Sequence, residues 1–339
     1  MKLLTPRTIP LFLSLMLLIA VLNAGAVLAQ DAPSGVSDVV RVAVAPTLGS
    51  ATYYIGLEEG VFAKYNIDLQ LVELPQAANA ETIALLLRGD IEVIQAFLNP
   101  GIINAVLRGE NVRAVAASRK INPEGCSTWS FVVPAGQAEN FDYAGLRGTT
   151  VGVPPGTPPY YLDLLLRLHG LTLADVTLEN VPAPVRAEGV VNGALSLAWI
   201  PEPSLTPAHQ LQGVEDLMSA ADLVPNTDSG LVYFGPSMLE RDDDLAVRFL
   251  SAYIEAGDLA AQEATERNVE IVSRGLELDP ALLSEICWGM GLTDPQVDVD
   301  GALVYMTWLL EQGDIDGMLD IDLLYDPSYV LAALEGTGS

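Results

Sequence analysis

Two loops of small and hydroxyl-bearing residues each lie directly before a predicted helix, and their residue types suit ligand binding. Thr47 and Ser50 precede one of these helices, and Gly156 and Thr157 precede the other. The first backbone N–H groups of a helix have no partner within the helix, and nearby hydroxyls add further donors and acceptors. The two loops therefore predict two ligand-facing helix starts, one in each half of an α/β chain.

Aromatic side chains are concentrated beside these loops and at the ends of predicted strands. They are Tyr53, Tyr54, Phe97, Tyr160, Tyr161 and Trp199. Adjacent helical residues point in different directions, so we expect one member of each Tyr pair to face a cleft and the other to face the core. Glu202 lies between two prolines after a predicted buried strand, and is either an ordinary loop acid or a ligand-binding carboxylate.

The motifs that catalysis or a cofactor would require are missing from the sequence. Neither glycine-rich phosphate loop is present, nor is a Gly-x-Ser-x-Gly elbow. The two histidines, His169 and His209, have no second histidine at helical spacing. The acid clusters at 242–244, 294–300 and 314–316 do not match a calcium loop, and helix caps or exposed turns explain them. We therefore predict binding without catalysis, with no cofactor and no metal.

The first 29 residues have the pattern of a cleavable export signal. Lys2 and Arg7 precede a long apolar run, which ends in Val27-Leu28-Ala29 and fits the small-x-small cleavage rule. An uncleaved membrane anchor is the alternative, because the run is long enough to span a bilayer. We expect cleavage after Ala29 and a periplasmic or extracellular location.

The chain that remains after cleavage is strongly acidic, with 14 Lys and Arg against 44 Asp and Glu and a formal charge of −30. This balance argues against nucleic acid as a partner and favours solubility. The two cysteines, Cys126 and Cys287, form either a disulfide or two buried free thiols.

Predicted strands and helices alternate through the first two thirds of the chain, and the remainder is mostly helical. Strands are predicted over 39–45, 68–74, 91–97, 112–118, 129–133, 150–153 and 176–181, and helices over 52–64, 79–88, 101–108, 160–169, 185–192, 244–267, 269–274, 280–290, 300–312 and 327–334. Alternation of this kind builds parallel sheets. Two apparent chain crossings predict an α/β fold of two lobes, with lobe 1 formed by 39–127 and 229–339 and lobe 2 by 128–228.

Four segments resemble a known family. They are YYIGLEEGVFAKYNIDL from Tyr53, LLLRGDIEV from Leu85, LRGTTVGV from Leu146 and AWIPEP from Ala198. They are similar to the ABC-importer substrate-binding proteins for nitrate, sulfonates, taurine, thiamine pyrimidine precursors and riboflavin. The resemblance covers about 41–235 and, loosely, the helical tail. It implies a type II periplasmic-binding-protein fold, each lobe a mixed sheet flanked by helices, with a helical C-terminal region.

In that family the ligand lies between two lobes that close around it, and the closed form docks on a membrane permease. The resemblance thus implies a small-molecule ligand and an ABC permease as partners, and we expect a monomer. The matching segments, with the loops and aromatics above, predict one ligand site. Its residues are Thr47, Ser50, Tyr53, Tyr54, Phe97, Asn99, Gly156, Thr157, Tyr160, Trp199 and Glu202.

Two ligand classes and one other class of protein remain open. A flat heterocycle, such as a thiamine pyrimidine precursor or riboflavin, would stack on aromatic rings and donate to Glu202. We expect this class, because neither loop contains an arginine. A small anion such as sulfonate, taurine or nitrate would instead need Arg119, Lys120 or Arg186. An enzyme resembling the thiamine-pyrimidine synthase is the other possibility, but this chain lacks the cysteine-rich motif beside which that enzyme holds iron.

Overall fold

The computed structural model describes residues 37–74, 80–211, 213–290 and 294–337. The predicted export signal lies outside these residues. Within them, no helix is both long enough and apolar enough to cross a membrane.

In the described residues, ten strands form two sheets. They are β1 (Asp38–Val44), β2 (Ile67–Glu73), β3 (Val93–Ala96), β4 (Arg113–Lys120), β5 (Trp129–Pro134), β6 (Thr150–Gly152), β7 (Thr177–Glu179), β8 (Leu197–Pro201), β9 (Val214–Ser219) and β10 (Asp228–Phe234). The strand order is β2-β1-β3-β10-β4 in the first sheet and β7-β6-β8-β5-β9 in the second. We call the first sheet with its helices lobe 1 and the second lobe 2.

The two sheets share one plan. In lobe 1, β1 is parallel to β2 and β3, whereas β10 is antiparallel to β3 and β4. In lobe 2, β6 is parallel to β7 and β8, whereas β5 is antiparallel to β8 and β9. Each sheet therefore has four parallel strands that end at one edge, and one reversed strand that begins there. Ligands of open α/β sheets bind outside this edge.

Helices cover both sheets. They are α1 (Ala51–Glu58), α2 (Val61–Lys64), α3 (Ala80–Arg88), α4 (Pro100–Leu107), α5 (Pro158–Leu168), α6 (Ala183–Val191), α7 (Leu205–Leu211), α8 (Ala220–Leu223), α9 (Pro236–Leu239), α10 (Asp243–Ala260), α11 (Glu266–Leu276), α12 (Pro280–Leu283), α13 (Val299–Gln312), α14 (Ile321–Leu324) and α15 (Ser328–Thr337). Short 3-10 turns at Leu48–Ser50, Tyr143–Leu146 and Leu173–Asp175 complete the regular structure of the described residues.

Lobe 1 has an apolar core on each face of its sheet. On one face, Val40 and Val42 of β1 pack with Phe249 and Tyr253 of α10. On the other face, side chains of α3, α4 and α13 pack against Ile94, Tyr233 and their neighbours. Burial on both faces explains why β1 and β10, which lie inside this sheet, are mostly apolar along their length.

The chain passes between the sheets twice, through 121–128 and 220–227. Cys126, in the first connection, forms a disulfide with Cys287, with an S–S distance of 2.04 Å. Of the two states that the sequence allowed for the cysteines, the structure shows the disulfide.

Several predicted elements were wrong in extent. The helix predicted over 52–64 is interrupted at Gly60, which has a φ of +70° and separates α1 from α2. The long helix predicted over 244–267 ends at Ala260, and Thr265 caps a new helix by accepting from the N–H of Asn268. The helix predicted over 280–290 is only α12. Neither β9 nor α7 was predicted, because their sequences show neither alternation nor helical periodicity.

Candidate functional site

The candidate site lies where one edge of the lobe 1 sheet meets one edge of the lobe 2 sheet. In lobe 1 this edge contains the ends of β1, β3 and β4 and the start of β10. In lobe 2 it contains the ends of β6 and β8 and the start of β5. Both connections between the lobes leave and enter their strands at these edges, so the chain fold alone brings the two edges together.

A cavity of about 80 Å³ lies between the lobes at this position. Three of the predicted site residues line it: Phe97 after β3, and Thr157 and Tyr160 at the start of α5. The other lining residues are Leu98, Tyr161, Val224, Thr227, Asp228, Gly230, Leu231, Asp298, Gly301, Ala302 and Tyr305. The cavity is therefore mainly apolar and aromatic, with two carboxylates.

Tyr160 belongs to an aromatic cluster that joins the lobes. Its ring centroid lies 4.9 Å from that of Tyr305 and 5.4 Å from that of Trp308, both on α13. Beside these rings, the indole N–H of Trp308 donates to Asp163 Oδ2 of α5 at 2.9 Å, and Arg167 Nε donates to the same oxygen at 2.6 Å. Asp163 is buried, so this carboxylate is a satisfied inter-lobe contact.

Arg119, near the end of β4, has no partner of its own. Its Nε atom is buried and no protein group accepts a hydrogen bond from it. Among the lysines and arginines that the structure describes, Arg119 alone forms neither an ion pair nor a hydrogen bond. Burial lowers the pKa of its guanidinium, which nevertheless stays charged at neutral pH.

A hydrogen-bonded network connects the surroundings of Arg119 to the loop before α1. Gln95 Nε2 donates to the carbonyl of Gly49 at 3.0 Å, and the Tyr253 hydroxyl donates to Gln95 Oε1 at 3.2 Å. Burial raises the pKa of Tyr253, and the nearby Arg119 charge opposes that shift. The first ligand-facing loop and Arg119 therefore belong to one polar region at the edge of lobe 1.

Asp228, the first residue of β10, is a buried carboxylate that is only half satisfied. Its Oδ2 accepts from the backbone N–H of Asp298 at 2.7 Å, whereas Oδ1 is buried without a hydrogen-bond donor. Lys120 Nζ lies 3.7 Å from Oδ1 and 3.9 Å from Asp294 Oδ2. Burial raises the pKa of Asp228 to about 6, although the Asp298 N–H and Lys120 oppose the shift.

The residues of the first loop occupy separate places. Thr47 is exposed, and Ser50 is buried with its hydroxyl donating to the carbonyl of Ala45 at 2.8 Å. Tyr53 is fully buried, with its ring 5.2 Å from that of Tyr253. Tyr54 is the more exposed member of its pair, and its hydroxyl lies 3.5 Å from Glu73 Oε1.

Trp199 contacts Arg186 within lobe 2, and Glu202 accepts hydrogen bonds at the border of that lobe. The guanidinium carbon of Arg186 lies 5.8 Å from the Trp199 ring centroid, whereas the Trp199 indole N–H is buried without a partner. Glu202 accepts from the backbone N–H and hydroxyl of Thr206, the latter at 2.6 Å, and from the N–H of Cys287 at 3.3 Å. The Glu202 carboxylate thus has three donors from the protein itself.

Asn99 and Gly156 shape the two helix starts. The Asn99 side chain accepts from the N–H of Ile102 and so caps α4. Gly156 has a φ of +108°, a backbone conformation that favours glycine, and it directs the chain into α5 at Thr157.

The two histidines considered in the sequence do not line the cavity. His169 stacks on Tyr143 and His209 contacts Asp216 at 2.8 Å, both within lobe 2. The acids Asp242 and Asp298 cap α10 and α13, as predicted for these clusters. No group of three or more possible ligands that could hold a metal occurs in the part of the chain that the structure describes.

Sequence reasoning did not identify Asp228, Asp298 or Tyr305 as cleft residues. Asp228 fell within a predicted crossing and matched no motif, and Asp298 was assigned to a capping cluster. The residues are far apart in the chain and meet only through the packing of α13 against lobe 1. One signal was available: Asp228 is the last residue before the predicted return of the chain to lobe 1 at residue 229.

The chain belongs to the NMT1/THI5-like family, whose model matches residues 48–266. The fold is that of type II periplasmic binding proteins. It is similar to the periplasmic aliphatic sulphonate-binding protein SsuA of Escherichia coli, with 18% identity and a TM-score of 0.68 over 84% of this chain and 96% of that one.

Two further solved structures show the same fold. The nitrate-binding protein NrtA of Synechocystis PCC 6803 has 14% identity and a TM-score of 0.65, over 88% of this chain and 89% of that one. The desulfurization enzyme DSZB has 15% identity and a TM-score of 0.61, over 88% of this chain and 99% of that one. No curated protein matches the sequence. Since the fold occurs in both binders and an enzyme, the site must decide the function.

Proposed function

We propose that the protein is an exported solute-binding protein that closes around a small organic anion and delivers it to the permease of an ABC importer. The single observation that carries the proposal is Arg119. It is a partly buried cation near the end of β4, at the sheet edge that faces lobe 2, and no described residue forms a hydrogen bond or an ion pair with it. A charge removed from water and left unpaired is costly, so its retention at a cleft favours an anionic ligand as the partner.

The surroundings of Arg119 support the same ligand class. The loop before α1 is tied to the Arg119 region through Gln95 and Tyr253, so helix N–H groups and the guanidinium belong to one site. Trp199 contributes a buried, unpartnered indole N–H on the lobe 2 side. Proteins with this fold that bind sulfonate and nitrate agree with this choice.

The geometry gives less support to the heterocycle that the sequence suggested. Glu202, its expected acceptor, already receives three hydrogen bonds, and Tyr53 is fully buried in lobe 1. The cavity of about 80 Å³ is also smaller than the engineered cavities of about 150 Å³ that admit a benzene ring. These constraints count against a flat heterocycle.

The residue types that catalysis often uses, cysteine thiols and histidines, do not line the cavity in the described residues. This favours a role in transport over catalysis. Both cysteines of the chain form the disulfide, and His169 and His209 lie outside the cleft. The cavity is lined by two carboxylates and three tyrosines, and Arg119 lies near the end of β4 at the same sheet edge. These groups suit recognition more than turnover.

The test compares Arg119→Met with Arg88→Met, which makes the same change at an exposed ion pair. Wild-type protein is first screened by thermal shift with alkanesulfonates, nitrate, short carboxylates, pyrimidines and riboflavin. Binding of the best probe is then measured by calorimetry. We expect an anionic probe, bound at least about 100-fold more weakly by Arg119→Met, since two hydrogen bonds from a charged donor contribute about 3 kcal/mol or more.

The melting temperature of ligand-free Arg119→Met should equal or exceed that of wild type, and Arg88→Met should bind as wild type does. A melting-temperature increase with neutral heterocycles alone, or an Arg119→Met variant with undiminished anion binding, would overturn the proposal.

A further inference from the structure

The disulfide attaches the first connection between the lobes to lobe 1 at a point close to lobe 2. Cys126 lies in this connection, which follows β4, and it is bonded to Cys287. Only two residues separate Cys126 from Trp129, which begins β5. The stretch 121–126 is therefore held to lobe 1 at both ends, by β4 and by the sulfur–sulfur bond.

Cys287 belongs to a segment that is part of the lobe 1 core. Residues 284–290, which we call the disulfide segment, follow α12. Trp288 of this segment is 1% exposed, and it belongs to the same apolar cluster as Leu48 and Ala51 beside the first ligand-facing loop. Close packing of this kind fixes the segment in place. The first connection is thus bonded to the part of lobe 1 that holds this loop.

The disulfide segment also contacts lobe 2 beside the bond. The N–H of Cys287 donates to Glu202 Oε1 at 3.3 Å, and the N–H of Glu202 donates to the carbonyl of Thr128 at 2.9 Å. A side chain at Gly289 would collide with that of Thr128, so the segment and the end of the connection lie in close contact. The segment is therefore a point of contact between the lobes as well as an anchor for the connection.

The two connections between the lobes are joined to each other. The N–H of Ile121 donates to the carbonyl of Thr227 at 2.9 Å, and the N–H of Asn226 donates to the carbonyl of Ile121 at 2.8 Å. At the other end, the N–H of Ala220 donates to Ser127 Oγ at 3.1 Å. A restraint on the first connection is therefore transmitted to the second.

A cavity of about 70 Å³ lies beside the bond. Cys126 of the first connection, Ala220 of the second and Gly289 of the disulfide segment all contribute to its lining. Cys126 is exposed, whereas Cys287 is buried. The bond is therefore accessible to solvent from the Cys126 side, and the chain has space to move into when the bond is broken.

We infer that the disulfide restricts the movement of the two lobes and makes this movement sensitive to reduction. Hinges absorb backbone rotation in a few residues, and the bond leaves only Ser127 and Thr128 for this role in the first connection. With the bond intact, the lobes stay close together even without ligand. This inference rests on the lobe closure of the proposed function, but not on the charge of the ligand.

A dithiol is the class of reductant that releases the restraint. Two electrons and two protons pass from the dithiol to Cys126 and Cys287, which become thiols, and the dithiol becomes a disulfide. The lobes of the reduced protein then open further.

Small-angle scattering of the ligand-free mature chain tests the restraint. The samples are oxidised wild type, wild type reduced with dithiothreitol, and the double variant Cys126→Ser/Cys287→Ser. Reduced wild type and the double variant should each have a radius of gyration about 1 Å larger than that of oxidised wild type, as expected for opening of a two-lobed molecule of this size. Dithiothreitol should not change the double variant, and reoxidation should restore the value of wild type.

Hydrogen exchange locates the change within the chain. Backbone amides of 121–128, 220–227 and 284–290 should exchange at least about 10-fold faster after reduction, whereas those of β1 and β3 should stay protected. Gln210→Ala is the matched control, since it removes a hydrogen bond of 3.1 Å to Glu285 of the disulfide segment and keeps the bond. It should keep the radius of gyration and the exchange rates of oxidised wild type.

The contrary outcomes are distinct. An equal radius of gyration and equal exchange in the oxidised and reduced proteins would overturn the restraint, and the anion-binding proposal would still be decided by Arg119→Met. Faster exchange in β1 and β3 as well, or loss of the circular dichroism signal on reduction, would mean that the bond stabilises the whole fold instead. A larger radius of gyration in Gln210→Ala would assign the restriction to the polar contact and not to the disulfide.

Discussion

Arg186 in lobe 2 and Arg119 in lobe 1 are both arginines withdrawn from water, and their partners differ. Arg186 Nε donates to the carbonyl of Val181 at 2.6 Å and Nη1 donates to that of Trp199 at 2.8 Å, so the side chain ties a loop to β8. Arg119 has no comparable contact. Burial alone therefore does not distinguish a structural arginine from a binding one, whereas the presence of partners does.

The same contrast holds for two buried carboxylates. Asp163 receives hydrogen bonds from Arg167 and Trp308, whereas Asp228 has one oxygen without a donor. We expect the satisfied member of each pair to stabilise the fold and the unsatisfied member to be available to a ligand. Unfolding measurements test this assignment directly.

The largest effect is expected for Arg186→Met, which leaves two carbonyls inside lobe 2 without their donor. Loss of two hydrogen bonds from a charged group should lower the free energy of unfolding by about 3 kcal/mol. Urea unfolding followed by circular dichroism measures it, with Arg88→Met expected to change less than about 0.5 kcal/mol because its ion pair is exposed. If Arg186→Met were as stable as wild type, the presence of hydrogen-bond partners would not mark Arg186 as a structural residue in contrast to Arg119.

A smaller loss is expected for Asp163→Asn. The amide oxygen can still accept from Trp308, but the Arg167 ion pair is lost and an NH2 group is buried near the aromatic cluster. We expect a loss of about 2 kcal/mol in urea unfolding. Glu311→Gln is the control, since Glu311 contacts the same arginine at 3.7 Å from an exposed position. Equal losses of unfolding free energy in Asp163→Asn and Glu311→Gln would show that the buried inter-lobe contact stabilises the protein no more than the exposed ion pair does.

The smallest effect is expected for Asp228→Asn, and it should depend on pH. Burial raises the pKa of Asp228 from 3.8 to about 6, so the folded protein holds this proton more tightly than the unfolded chain does. The stability that the protonated carboxyl provides is therefore lost as the pH rises from about 4 to about 6. Asparagine does not titrate, so the stability of the variant relative to wild type should increase over that window, by on the order of 1 kcal/mol.

Urea unfolding of both proteins at pH 4, 5, 6 and 7.5, without ligand, measures this difference. A difference that is constant across the four pH values would mean that the folded and unfolded states hold the Asp228 proton equally, and the contrast with Asp163 would then fail.

The sequence was sufficient for the alternation of strands and helices and for the α/β class. Local apolar runs and the residues that begin and end helices determine those features, and both can be recognised in a single sequence. The edge strand β9 was missed because Glu215 and Asp216 interrupt its apolar pattern. Its place in the sheet depends on pairing with β5, which no local signal reveals.

The candidate site was predicted only in part. Phe97, Thr157 and Tyr160 line the cavity, and Arg119 was named for the anion alternative. By contrast, Ser50 and Glu202 form hydrogen bonds with nearby backbone, a use that their residue types also allow. Asp228 and Tyr305 meet only when α13 returns to lobe 1, so their proximity is a property of the tertiary structure.

The bond between Cys126 and Cys287 also changes the covalent topology of the molecule. It closes a ring of backbone that contains all strands of lobe 2 as well as β10. A single protease cut anywhere between these cysteines opens the ring but releases no fragment, and every strand of lobe 2 stays covalently attached to lobe 1. For a protein proposed to work outside the cytoplasm, where it is exposed to proteases, a single cut in this ring therefore leaves both pieces joined in one molecule.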